Sequence, residues 1–149
     1  MEKNLSDAES AQLIINRFRK LSDTAKSRWG SMSLNGMLWH CSEVNTAILE
    51  GKLSDKTPTF KQWLIKNLVL NVRQQLPKGI KTNPKFVKNE QQDLQTNIEK
   101  EKVIDSIIRF TNHTNLPGGE HPVFGRLNDK EWGRFAWLHM DHHLRQFGG

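Results

Sequence analysis

The last stretch, Asn128 to Gly149, constrains this chain more than any other. Asn128 is an N-cap candidate, and Glu131, three positions on, can close a capping box. Gly148 and Gly149 end the expected helix. At about 100° per residue, Trp132, Phe135, Ala136, His139, His143 and Gln146 share one face, with His142 at its edge. The aromatics mark that face as core-facing. Two imidazoles one turn apart on a buried face need partners, because an unpaired buried polar group costs about 1–3 kcal/mol. His at i and i+4 is also the spacing by which one helix gives two ligands to one ion. The same spacing equally describes a helix end with surface or hydrogen-bonded histidines. His142 reads as a ligand, a partner of a ligand or a rim residue.

The rest of the chain supplies more helices. Residues 1–5 are expected to fray. Ser6 is expected to cap a first helix, with Glu9 at the capping-box position and Leu13, Ile14, Phe18 and Leu21 on its apolar face. A short helical piece then leads to Trp29-Gly30. The second helix runs between an N-cap, Ser33, and a C-terminal glycine, Gly51. On it His40 shares a face with Met37, Val44 and Ala47, with Glu43 at the edge. A third helix is expected over Phe60 to Gln75, its core face made of Trp63, Leu64, Leu68 and either Val69 or Val72. Lys78 to Glu90 is irregular and basic. Gln91 to Asn112 reads as a long helix with Leu94, Ile98, Ile104, Ile107, Ile108 and Phe110 apolar, and with Glu99 to Lys102 as an exposed face. His113 to Leu127 is rich in turn formers, and no strand or repeat is expected. The element list is that of one all-α domain over residues 1–149: a four-helix bundle with a short extra helix and long connecting loops.

Composition narrows the classes. No apolar run approaches the roughly 18 residues of a membrane span, and the polar N-terminus has no signal-peptide core. A single cysteine, Cys41, fits a reducing compartment, so a cytoplasmic protein is expected. The net charge is +6 and the pI about 9.6. Scattered basic residues among 16 acidic ones, with no helix-turn-helix signature, disfavour nucleic acid as partner.

Bundles build metal sites from side chains on facing helices. Here His40, His139 and His143 are the inward candidates. Three neutral imidazoles with one open vertex are the usual ligand set of a catalytic zinc site, although imidazole does not select among zinc, nickel, cobalt and iron(II). The di-iron pattern needs Glu-x-x-His on two helices, and this chain offers His40-x-x-Glu43 instead. Cys41 lies about 100° around the helix from His40 and reads as an ordinary buried cysteine. Glu43 can orient a ligand or serve as general base, or it is an exposed helix glutamate. Gln146 can bond a group held at the metal, or it packs the helix end.

Several segments are distinctive in combination: Trp29-Gly30-Ser31-Met32-Ser33, Met37-Leu38-Trp39-His40-Cys41, His121-Pro122-Val123-Phe124-Gly125, Trp132-Gly133, and His139-Met140-Asp141-His142-His143-Leu144-Arg145-Gln146-Phe147. Together they resemble a bacterial subfamily of the DinB/YfiT-like superfamily, from about the first helix to the end of the chain. The resemblance implies a DinB-like four-helix bundle with a three-histidine metal site at His40, His139 and His143, holding zinc or nickel. It implies dimers in many members. It also implies kinship with thiol-dependent S-transferases and isomerases that use a low-molecular-weight thiol. On that expectation the chain is a metal-dependent enzyme acting on a small-molecule substrate, of S-transferase or hydrolase type. Lys78, Lys81, Lys85, Lys88 or Arg145 would hold the thiol's carboxylates, Gln146 would assist in binding, and Glu43 or His142 would serve as base. The pocket wall is expected from residues 77–90 and 113–127. The alternative is a non-catalytic, metal-stabilised bundle used for binding or stress response.

Overall fold

The computed structural model describes residues 3–53, 59–88, 95–113, 115–117 and 119–149. It is mostly helical, as expected. The described residues form five α-helices, α1 (Ala8–Lys20), α2 (Leu34–Leu49), α3 (Phe60–Lys66), α4 (Thr96–Thr111) and α5 (Asp129–Gln146), with one short hairpin, β1 (Glu120–His121) and β2 (Gly125–Arg126), between α4 and α5. Among the described residues, α4 packs on α1 and α2, and α5 packs on the same two helices. The four therefore form a ring in the order α1–α4–α2–α5 around a single apolar core. Phe18, Met37, Leu38, Ile107, Phe110, Trp132 and Leu138 lie at its centre.

The helix ends follow local chemistry. Asn128 and Glu131 close the expected capping box of α5, each bonding the other's backbone amide at 2.9 Å. Ser33 caps α2 through the Gly36 amide. Gly51, at φ +66°, ends α2 with the paired bonds Lys52 N–H to Ala47 and Gly51 N–H to Ile48, the Schellman arrangement that needs a left-handed residue. At α1 the cap is Asp7 rather than Ser6. The Asp7 carboxylate takes the Ser10 amide at 2.8 Å, while the Ser6 amide is itself held by the Asn4 side chain. Nor do residues 3–5 fray. Leu5 is fully buried, its amide donates to the Gly133 carbonyl, and Asn4 reaches the Lys130 carbonyl.

Several expected faces are rotated. Leu13 on α1 is exposed. The third helix does not run to Gln75: α3 gives way at Asn67 to a π-helical stretch ending at Val72. The wider winding changes the phase of the side chains, so Val69 and Leu70 turn inward. Trp63, Leu64 and Leu68 stay about half exposed, and Val72 is 71% exposed. The Asn67 side chain donates to the Trp63 carbonyl, which the Asn67 backbone amide bonds as well. Buried Arg134 of α5 then donates to the carbonyls of Leu70, Arg73 and Lys3, fastening the π stretch and the N-terminal segment to α5.

On α4, Ile98 and Ile108 are exposed, whereas Glu99 is only 1% exposed. Glu99, Val103, Ser106, Ile107 and Phe110 share the buried face at helical spacing, so the charged run Glu99 to Lys102 is not wholly a solvent face. Lys102 pairs with Glu99 at 2.8 Å. Leu94 and the expected start of this helix lie outside the described residues. The hairpin is antiparallel with His121 opposite Gly125. Two residues per strand carry no alternation for sequence to reveal, and Pro122 and Gly125 make the segment read as a turn. No helix among the described residues is long and apolar enough to cross a membrane.

Candidate metal centre and cavity

α5 is buried on nearly every side, which marks it as the central helix. It presents His139 and His143 toward α2, which presents His40. One imidazole nitrogen of each lies within 4.8 Å of those of the other two. Ring centroids are 4.7–4.9 Å apart, and His40 Nε2 is 2.9 Å from His139 Nε2. All three residues are buried. This cluster could hold a metal ion.

Hydrogen bonds fix how two of the rings are protonated. His40 Nδ1 lies 2.8 Å from the Phe86 carbonyl, which only accepts, so Nδ1–H donates and Nε2 keeps its lone pair. Gln146 donates its amide to the Trp29 carbonyl at 2.8 Å, which leaves its Oε1 to accept from His143 Nδ1–H at 2.9 Å. His143 Nε2 therefore also keeps its lone pair. His139 Nδ1 is buried without a hydrogen-bond partner. Burial holds His40 at about 4 and His143 at about 3, and it drives His139 well below the ordinary imidazole value, with the neighbouring histidines adding to the effect. All three rings are neutral at neutral pH. His40 and His143 offer Nε2 lone pairs, while His139 Nε2–H donates to His40 Nε2 and would carry its proton on the unpartnered Nδ1 instead when a cation is held. With that tautomer the three neutral imidazoles fit a divalent ion.

The cluster forms the floor of a cavity of about 290 Å³. Its walls come from α2, α3 and the π stretch, and, as expected, from the two irregular segments, through Pro77, Ile80, Lys81, Phe86 and His121 to Phe124. Phe86 sits in a single 3-10 turn, Pro84–Phe86, which places its carbonyl on His40. The lining is largely apolar, and among the described residues it includes no carboxylate.

The remaining expected site residues separate. His142 borders the cavity, half-buried and edge-on to Trp29. Burial lowers its pKa, while the Leu76 backbone acts in the opposite sense. Glu43 is exposed on α2 and does not line the cavity, so its position does not suit a base there. Arg145 is engaged by Asp141 at 2.9 Å, in a network with Arg17, and lies outside the lining. Gln146 also lies outside it and acts on His143 rather than on a cavity ligand. Of the four loop lysines, Lys81 alone borders the cavity. Lys78 lies over the Trp29 ring, Lys85 near the Phe86 ring and Lys88 over the Trp39 ring. Cys41 is fully buried, which raises its thiol pKa, and its sulfur contacts Met37. His121 borders the cavity although helical periodicity has no bearing on a turn residue. The signal for it in sequence was the compact His-Pro-Val-Phe-Gly segment.

No curated protein and no solved structure matches the chain. One family does, described as "Protein of unknown function (DUF1569)", and its match covers residues 2–148. With nearly its whole length matched, the chain belongs to the DUF1569 family.

Proposed function

We propose that this chain is a DinB-like protein that holds one divalent metal ion, zinc or nickel, on His40, His139 and His143. We further propose that it works as a metal-dependent enzyme of thiol S-transferase or hydrolase type on a small molecule. The observation that carries the reading is the convergence of three neutral imidazoles at the floor of a cavity, two with Nε2 lone pairs set by Phe86 and Gln146. Four packed helices, with histidines on the second and last of the four, support the DinB-like assignment. A divalent ion in such a site lowers the pKa of a water or thiol brought to it and polarises a substrate oxygen.

The chain's own residues would do the rest. The apolar walls exclude bulk water. Lys81 offers a cation to an acidic substrate group. His142, whose burial favours the neutral ring, is the base candidate that borders the cavity. The absence of a carboxylate among the described lining residues favours one second reading, a metal-stabilised bundle that binds without catalysis.

Elemental analysis of the purified protein beside His40→Ala and His139→Ala tests the metal. About one ion per wild-type chain, lost in both variants, supports it. No ion, and none taken up on dialysis against zinc or nickel, overturns it. Thiol-transfer and hydrolase assays, with His142→Ala as the diagnostic variant, then separate the enzyme from the binding module.

A further inference from the structure

The hairpin carries a histidine that the metal reading does not use. His121 Nδ1 accepts two backbone amides at once, Val123 N–H at 3.0 Å and Phe124 N–H at 3.1 Å. Both bonds belong to the turn that joins β1 to β2, so forming the hairpin and fixing the ring are one event. A ring nitrogen that accepts has no proton, so in the neutral ring the proton sits on Nε2. The ring is stacked on Phe124 with centroids 4.4 Å apart and meets Phe135 edge-on at 4.3 Å, which leaves it little freedom to rotate. Burial keeps it neutral, pulling its pKa to about 3. Its Nε2–H has no acceptor among the described residues, and the residue lines the cavity. This nitrogen is not sealed off like His139 Nδ1 but opens to the cavity. A ligand that covers it without pairing it is costly, and the turn holds it in place whether or not the cavity is filled.

We propose that His121 is a specificity-determining residue. Its Nε2–H donates to an sp² oxygen, carbonyl or carboxylate, on a small and otherwise apolar molecule held between the hairpin and the three-histidine floor. This names the ligand class for the cavity and rests on the reading of that cavity as the working site. The walls suit an apolar body, with Val44, Ile65, Val69, Leu76, Ile80 and Phe86 surrounding it. A fixed N–H aimed at one oxygen discriminates against analogues that lack it, because the site's donor is then left unpaired.

The test compares phenylacetate and phenylacetamide, which carry the oxygen, with indole, a flat apolar molecule that has none. Binding is followed by tryptophan fluorescence and by the nitrogen-15 shift of the His121 ring. The diagnostic variant is His121→Asn, whose side-chain oxygen can still accept the turn amides, while its amide nitrogen stands near the ring's Cδ2 position and does not reach the place of Nε2–H. In the wild type, phenylacetate or phenylacetamide binds more tightly than indole and moves the His121 Nε2 resonance. In His121→Asn that ligand weakens by about tenfold or more, while indole binding is unchanged. A preference for phenylacetamide over phenylacetate, or the reverse, identifies the oxygen as carbonyl or carboxylate, and both support the proposal. Equal affinity of wild type and His121→Asn for the oxygen-bearing probes overturns it, as does indole binding as well as they do or no probe binding at all. Running each titration with and without chelator, with metal content measured on the same samples, keeps this outcome separate from that of the metal reading.

Discussion

Gly30 faces Gln146 across a gap that would take a side chain only if the Gln146 amide moved aside. A Cβ at position 30 would lie 3.0 Å from the Gln146 amide nitrogen, the nitrogen that donates to the Trp29 carbonyl. Gly30 also sits at φ +75°, where any other residue is strained. Gly30 therefore bears on His143 at one remove, since the other end of the same Gln146 amide holds His143 Nδ1. Gly30→Ala is expected to cost about 1–2 kcal/mol in stability. It should also weaken metal uptake. Urea denaturation and a zinc titration measure the two, and unchanged uptake in a folded variant would separate Gly30 from the site.

Gln146 permits a cleaner test of the same linkage. Gln146→Leu removes the acceptor that fixes the His143 ring, and a lost partner of this kind typically lowers metal affinity about 10–100-fold. Gln146→Glu keeps the acceptor for His143 Nδ1–H but loses the donor to the Trp29 carbonyl, and it should retain more of the affinity than Gln146→Leu. Calorimetric titration of the two variants with zinc distinguishes a positioning role from simple packing, which would penalise both alike.

The buried imidazoles make stability depend on pH. His40 at about 4, and His121 and His143 at about 3, all lie below the ordinary 6.5 of an unfolded chain. Between those values the unfolded chain binds more protons than the folded one, so the free energy of unfolding rises with pH. The full stability is present above about pH 6.5. It is lost progressively as pH falls toward 4 and then 3. For His40 alone the total is roughly 3 kcal/mol as an upper figure. Urea midpoints of chelator-treated protein should drop between pH 7.5 and pH 5, and equal midpoints would contradict the burial of these rings.

Arg134 joins three segments that are otherwise far apart in sequence. Arg134→Met leaves the carbonyls of Lys3, Leu70 and Arg73 without this partner. A loss of about 2–4 kcal/mol is expected, since hydrogen bonds to a charged donor contribute about 1.5–3 kcal/mol each and losses of this kind are not additive. Hydrogen exchange should speed up at residues 3–7 and in the π stretch before it does in α4.

The parts of this structure legible in sequence are those set by local rules. Asn128 with Glu131, Ser33, and Gly51 mark helix ends because a cap is satisfied within a few residues. The histidine cluster was legible because helical periodicity put His40, His139 and His143 on apolar faces. Leu68 is exposed rather than inward because the π winding shifts phase, and that winding is held by Arg134, 64 residues from Leu70. Glu99 was misplaced because a charged residue reads as surface, whereas the spacing through Val103 and Phe110 places it inside. The carbonyl of Phe86 and the ring of His121 act from turns whose placement depends on tertiary packing.

The bonds that orient the cavity's rings are made largely with main chain. His40 uses the carbonyl of Phe86, Gln146 that of Trp29, and His121 the amides of Val123 and Phe124. Inheritance therefore constrains the two sides of each bond unequally. The histidines and Gln146 admit few replacements, while their partners can exchange side chains without altering the bond. Proline is the exception at 123 and 124, because it has no amide hydrogen. Across related chains the machinery would appear as a few invariant letters flanked by variable ones, and residue-pair covariation would miss most of the contacts that hold it.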